Sequence, residues 1–167
     1  SQLNFLFKKN KILPWYYEHI TPGFNYRMND ISAALGISQF KRLKKFVKKR
    51  NLIALKYKKY FRGLPLKFQK IDKNFYSSYH LFPIQFNLKK TKKNYLNIFR
   101  KMRSNNFYVN LHYMPLHLSP YFKKKGFKNG DFKNAEHYAN TTISIPIFYH
   151  LKDSQIKKMI KLIRSLF

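Results

Sequence analysis

The sequence predicts an α/β chain, a long helix followed by a small α+β domain built on a mixed sheet. Three observations point there. Apolar residues recur every three or four positions from Ile31 to Phe61. A strand, a helix and a strand then follow one another between Tyr76 and Leu111. Last, Ile156, Met159, Ile160 and Ile163 line one face of a closing amphipathic stretch.

Residues 1–28 are punctuated by Pro14, Pro22 and Gly23 and read as irregular or weakly extended. Asn29 and Asp30 are good N-cap types, and a helix from about Asp30 to about Phe61 follows them. Ile31, Leu35, Leu43, Phe46, Val47, Ile53, Ala54 and Tyr57 share one face of it. Lys41, Lys44, Lys45, Lys48 and Lys49 fall mostly on the other. At 1.5 Å per residue such a helix is roughly 48 Å long, with Gly36 or the stretch near Arg50 as the place to bend. Gly63 and Pro65 end it. Leu66–Gln69 reads as a short strand and Tyr76–Phe86 as a longer one, where Pro83 marks an edge or a bulge. A helix from Thr91 or Lys92 to Asn105 carries Tyr95, Ile98, Phe99 and Met102 as its stripe, and Phe107–Leu111 returns as a strand. The loop from His112 to Pro120 leads to a helix that Asp131 can cap and that runs to about Tyr138. Ile143–Ile147 is a short strand broken by Pro146, and Asp153 or Ser154 opens the last helix, to Leu166. The organisation expected is therefore 1–28, 29–62 and 63–167.

With 167 residues, 44% hydrophobic and 19% aromatic, the chain has the material for a core and is no disordered tail. Its 35 Lys+Arg against 6 Asp+Glu, a net charge of +29, suggest nucleic-acid binding. A blander cause competes. Phe, Tyr, Met, Ile, Asn and Lys, the types with A/T-rich codons, make up 91 of the residues, and Lys outnumbers Arg 28 to 7 where base-reading surfaces favour Arg. The lysines are also spread over all the expected helices rather than gathered in one stripe. Without cysteine, disulfides, thiolate metal sites and cysteine nucleophiles are excluded. No apolar run approaches the roughly 18 residues of a membrane helix, so a soluble, cytoplasmic protein without a membrane partner is expected.

Six scattered acidic residues argue against a two-carboxylate glycosidase site and against a carboxylate cage for Mg²⁺ or Ca²⁺. Asp131 and Glu136, five apart, do not share a helical face. No glycine-rich phosphate loop and no nucleophile elbow is present, and no metal site is expected. His112 and His117 lie five apart in a Pro-rich loop and miss the helical zinc spacing. Each is either an imidazole satisfied by backbone or, together with Tyr113, part of a polar pocket. His80, inside an aromatic strand, is expected to pack with one hydrogen bond. Gly23-Phe24-Asn25-Tyr26-Arg27, just ahead of a helix start, offers an amide, a guanidinium and free backbone N–H groups. Those are anion-binding parts or simply a polar turn, and composition alone does not separate the two.

The same residues carry a resemblance. Pro22 to Gly36, with Gln39, Leu43 and Arg50 behind it, resembles the G-x-N-x-R…D-I-x-A-A-x-G segment of the DegT/DnrJ/EryC1/StrS sugar aminotransferases. Ser77-Ser78-Tyr79-His80-Leu81-Phe82 is similar to their S-x-x-H-L-(F/Y) strand. Val109 to Tyr121 resembles their H-Y-x-P-x-H loop, and Ala135-Glu136 through Ile147 their A-E…S-L-P segment. Four motifs in order cover about 22–163. The His loop and the tail are most similar to the branch that makes a pseudaminic acid precursor.

What the resemblance implies is the C-terminal portion of a fold-type I transferase that uses pyridoxal 5′-phosphate and works as a homodimer with shared active sites. Glutamate would donate an amino group that is passed to a nucleotide-linked 4-keto sugar. By the resemblance, Asn25 reaches the cofactor phosphate of the partner subunit, and Arg27, His112, Tyr113 and His117 face the sugar nucleotide. The family's Schiff-base lysine lies upstream of the Asn motif, and no segment here resembles its S-x-x-K strand. With Ser1 in place of Met, the expectation is the C-terminal part of a longer polypeptide, without a catalytic residue of its own and inactive alone. Two alternatives stand beside this reading: a basic module whose aromatics stack on nucleic-acid bases, and a non-catalytic regulatory relative of the same fold.

Overall fold

In the computed structural model, which describes residues 7–8, 11–12, 23–24 and 26–167, the chain divides into two units, 1–40 and 41–167. In the first, β1 (Phe7–Lys8) and β2 (Lys11–Ile12) pair antiparallel, with Phe7 opposite Ile12. Helix α1 (Asp30–Tyr60) begins where the sequence places its start. Asn29 Oδ1 accepts the Ser32 amide at 2.8 Å, an N-cap, and Asp30 puts a carboxylate on the positive end of the helix dipole. Gly36 does not interrupt the helix.

The apolar face expected along the whole of α1 is buried only near its C-terminal end. Ile53, Ala54 and Tyr57 are buried and Phe46 and Val47 half-buried, whereas Ile31, Leu35 and Leu43 are exposed. Periodicity reports which residues share a face; it does not report how much of that face the chain itself covers. Gly63, at φ +82°, and the turn around it end the helix as expected.

Three strands follow α1: β3 (Leu66–Phe68), β4 (Phe82–Phe86) and β5 (Thr142–Ile145), in the order β3-β4-β5. Both pairings are antiparallel, so the expected mixed sheet is corrected while the α/β class stands. Phe82, Ile84 and Phe86 alternate onto one face, joined there by Ile143 and Ile145 opposite them. α2 (Tyr95–Ser104) adds Ile98 and Met102 to this core, and α5 (Asp153–Arg164) adds Ile156, Met159, Ile160 and Ile163. Each fully buried Ile or Met of this set is worth about 2 kcal/mol of apolar transfer. Tyr57 ties α1 in: its ring stacks on Phe61 at 5.6 Å, and its hydroxyl donates to the Pro146 carbonyl at 3.0 Å.

Pro83 lies in the central strand rather than at an edge. Both backbone groups of Ser144, opposite Pro83, bond Asn110 (Ser144 N–H to Asn110 O at 2.8 Å) and so point away from β4. The missing Pro83 N–H therefore faces the β3 side, where pairing has already stopped at Phe68–Ile84. The ladder loses nothing there.

Two expected strands are shorter than their hydrophobic pattern. The Tyr76–Phe86 run is a strand only from Phe82. Ahead of it, Ser77 Oγ accepts the Tyr79 amide, Asn51 Nδ2 takes the Ser77 carbonyl, and Tyr79 sits at φ +44°. Phe107–Leu111 keeps a single bridge, Asn110 to Ser144. Arg103 donates twice to the Val109 carbonyl (2.8 and 3.1 Å) and the Val109 amide turns back on Phe107 O, so those groups are withdrawn from pairing. Asp131 does not cap the following helix: its Oδ2 accepts the Lys128 amide, and α4 (Lys133–Thr141) starts two residues later.

Candidate functional site

The loop expected to carry chemistry runs from Asn110 to Ser119 and is held at both ends. At one end is the Asn110–Ser144 bridge to β5. At the other, a short 3-10 turn over Leu116–Leu118 carries His117, followed by α3 (Pro120–Lys124) with proline in its first turn. Between these anchors the Tyr113 side chain is 73% exposed, and its ring meets the edge of His112 at 4.9 Å. His112 is half-buried, and its Nδ1 is shut off from solvent with no hydrogen-bond partner. A buried polar atom without a partner costs about 1–3 kcal/mol unless something completes it. An imidazole nitrogen and a phenol hydroxyl are hydrogen-bonding groups suited to hydroxyls, which both donate and accept.

His117 is turned inward. It is 7% exposed, lies tilted against Phe132 at 4.8 Å between ring centres, and its Nε2 lies 2.8 Å from Glu136 Oε1. Its partner is thus a carboxylate and not the backbone expected from sequence. Glu136, also buried, accepts the Gly130 amide on both oxygens (2.8 and 3.0 Å) and the Phe132 amide at 3.3 Å. The hydrogen bond from His117 is the main cause that holds the Glu136 carboxyl below its usual range; the two amides add to it and burial opposes it.

Glu136 is the functional-site residue that sequence reasoning passed over. In the sequence it is one of six scattered acidic residues and half of the Ala135-Glu136 pair, with no partner indicated. A signal was present: a buried histidine needs a partner, and Asp131 and Glu136 are the acidic residues within twenty positions after His117.

Arg27 is an exposed residue of the 1–40 unit, two positions ahead of the Asn29 cap. Asn25 lies outside the described residues. His80 does not pack inside a strand; it is exposed, two residues before β4. A cleft of about 450 Å³ lined by Lys67, Gln85, Asn87, Leu88, His137 and Thr141 opens elsewhere on the 41–167 unit and contains none of the loop residues. Among the described residues no three His, Asp or Glu are grouped as for a metal ion, and no helix is long and apolar enough to cross a membrane.

The sequence profile of the DegT/DnrJ/EryC1/StrS aminotransferase family matches residues 8–164. The spore coat polysaccharide biosynthesis protein SpsC of Bacillus subtilis is 32% identical over 155 residues, 91% of this chain and 40% of that protein. UDP-4-amino-4,6-dideoxy-N-acetyl-beta-L-altrosamine transaminase of Campylobacter jejuni is 42% identical over 72 residues, 42% of this chain and 19% of that protein. Among solved structures, the PMP form of the sugar aminotransferase Spr1654 from Streptococcus pneumoniae superposes with a TM-score of 0.81 at 24% identity, over 91% of this chain and 38% of that one. The chain spans about 40% of the length of the first curated relatives it matches. Pyridoxal 5′-phosphate is the cofactor that the family and the PLP- and PMP-form structures indicate. With a profile match over nearly its whole length and the His loop and Ala135-Glu136 motif folded into one cluster, this chain belongs to the DegT/DnrJ/EryC1/StrS aminotransferase family.

Proposed function

We propose that the chain is the C-terminal part of a pyridoxal-phosphate transaminase that takes an amino group from glutamate and delivers it to a nucleotide-linked 4-keto sugar, of the pseudaminic acid type or another cell-surface sugar. Residues 1–28 then end the large cofactor-binding domain, 29–62 form the connecting helix and 63–167 the small domain. The enzyme is a cytoplasmic homodimer, its Schiff-base lysine lies upstream of Ser1, and residues 1–167 alone transfer no amino group. The observation that carries this reading is the His loop. His112 Nδ1, buried and unpartnered beside the exposed Tyr113, sits on a segment anchored at Asn110 and His117, in a chain matched to the family over 8–164.

Bound pyridoxal phosphate supplies the electron sink for amino transfer. The residues of this chain bind and orient. Asn25 would hold the cofactor phosphate of the partner subunit through an amide N–H, which adds no charge near the reacting centre. Arg27 offers the nucleotide's phosphates a planar pair of donors. His112 and Tyr113 hydrogen-bond sugar hydroxyls, which fixes the face of the ketone that is presented. His117 gives its Nε2 to Glu136 and serves the sugar by holding that loop in place.

The test is amino transfer by the protein translated from the full reading frame around this sequence. Incubated with pyridoxal phosphate, glutamate and a UDP-linked 4-keto-6-deoxy sugar, it should release 2-oxoglutarate and amino sugar in equal amounts. An upstream frame that stops short of any S-x-x-K segment, or a full-length protein that releases neither product with any nucleotide-linked keto sugar, sinks the reading.

A further inference from the structure

One carboxylate joins three separate segments of the 41–167 unit. Glu136 stands in the first turns of α4, accepts the amides of Gly130 and Phe132 in the turn before that helix, and receives Nε2 of His117 from the loop nineteen residues upstream. Around this point lies an aromatic shell, His117 on Phe132, Phe132 on Phe127 at 6.1 Å and Phe127 on Phe122 at 6.1 Å. Segment 116–132 is otherwise held by short-range turn bonds such as Phe127 N–H to Phe122 O and Lys128 N–H to Asp131 Oδ2, and its helices are one or two turns long. A carboxylate with three N–H groups aimed at it is a stronger and more directional tie than the neighbouring ring contacts.

We infer that Glu136 is a positioning residue for substrate: through the His117 Nε2 contact and the Gly130 and Phe132 amides it sets the height and tilt of segment 112–117, which presents His112 and Tyr113. Glu136 is buried and already accepts from His117, Gly130 and Phe132, so its effect reaches the ligand through His117 and the three residues between it and Tyr113. The inference rests on the transaminase reading for its kinetic consequence and stands on the geometry alone for its structural one.

The test uses the full-length protein with Glu136→Ala and Glu136→Gln. Alanine removes every acceptor. Glutamine keeps one oxygen for His117 Nε2–H and the Gly130 amide. With Glu136→Ala the KM for the nucleotide sugar should rise by about 10-fold while that for glutamate stays within about twofold, and Glu136→Gln should recover most of the loss. Backbone hydrogen exchange of 112–118 should quicken in Glu136→Ala and not in Glu136→Gln, with β4 and β5 unchanged. A Glu136→Ala protein with unaltered exchange at 112–118, or with both KM values raised together, overturns the inference. Should Glu136→Ala fail to fold, His117→Phe keeps the ring on Phe132, removes Nε2 and is judged by the same two measurements. If the wild-type protein transfers no amino group, the transaminase reading fails by that result, and hydrogen exchange alone decides for or against Glu136.

Discussion

Replacing Tyr57 by phenylalanine removes one oxygen from the interior and nothing else. The ring keeps its stack on Phe61 (5.6 Å, 5° between planes) and its tilted contact with Phe82 at 5.4 Å. What is lost is the 3.0 Å bond to Pro146 O, just beyond β5, the tie that couples α1 to the far strand of the sheet. Tyr57 is fully buried, so no water replaces its hydroxyl, and the cost should be about 1–2 kcal/mol. Urea unfolding should show a lower midpoint at an unchanged slope. A second signature follows from burial, which raises the Tyr57 hydroxyl above the ordinary phenol range. A group that holds its proton more tightly folded than unfolded contributes stability in full below its unfolded value, about 10, and loses it as pH rises further. The wild-type protein should therefore lose stability above that pH more steeply than Tyr57→Phe. If Tyr57→Phe unfolds at the wild-type midpoint and with the wild-type alkaline slope, the reasoning about this bond is wrong.

Glu136 predicts the opposite limb: its carboxyl is held low in the folded state, so its contribution is present above the unfolded value and disappears as pH falls through the folded one. Unfolding measured from pH ~6 down to pH ~3 should be flatter in Glu136→Gln than in wild type. His117→Ala should raise KM for the sugar nucleotide more than for glutamate, and equal effects would remove the His loop from the sugar side. Asn25→Ala in the complete protein should weaken cofactor retention on dialysis, and unchanged retention would end its proposed role at the phosphate.

Local rules carried much of this chain. Asn29 caps α1 because a side-chain amide ahead of a helix start finds the orphan N–H three residues on, whatever the rest of the fold does. Ile156, Met159, Ile160 and Ile163 bury together because a period of 3.6 leaves them one face. Rules of the same kind misplaced the beginning of β4 and the cap of α4. There a nearby side chain competes for the same backbone groups: Ser77 and Asn51 before Phe82, Asp131 with Lys128 before Lys133. Which acceptor wins depends on what the tertiary structure brings within 3 Å, and a one-dimensional pattern does not contain that distance.

The sequence by itself determined the class, the long helix and its cap, the amphipathic α2 and α5, and through four ordered motifs the family. Tertiary structure decided that only the C-terminal part of the α1 face is buried in this chain, and that Pro83 fits a central strand because its missing N–H falls where β3 has ended. It also decided that His117 answers to Glu136. Periodicity and capping act over a few residues and are written locally. The partner of a buried imidazole, nineteen residues away across a turn, is set by packing.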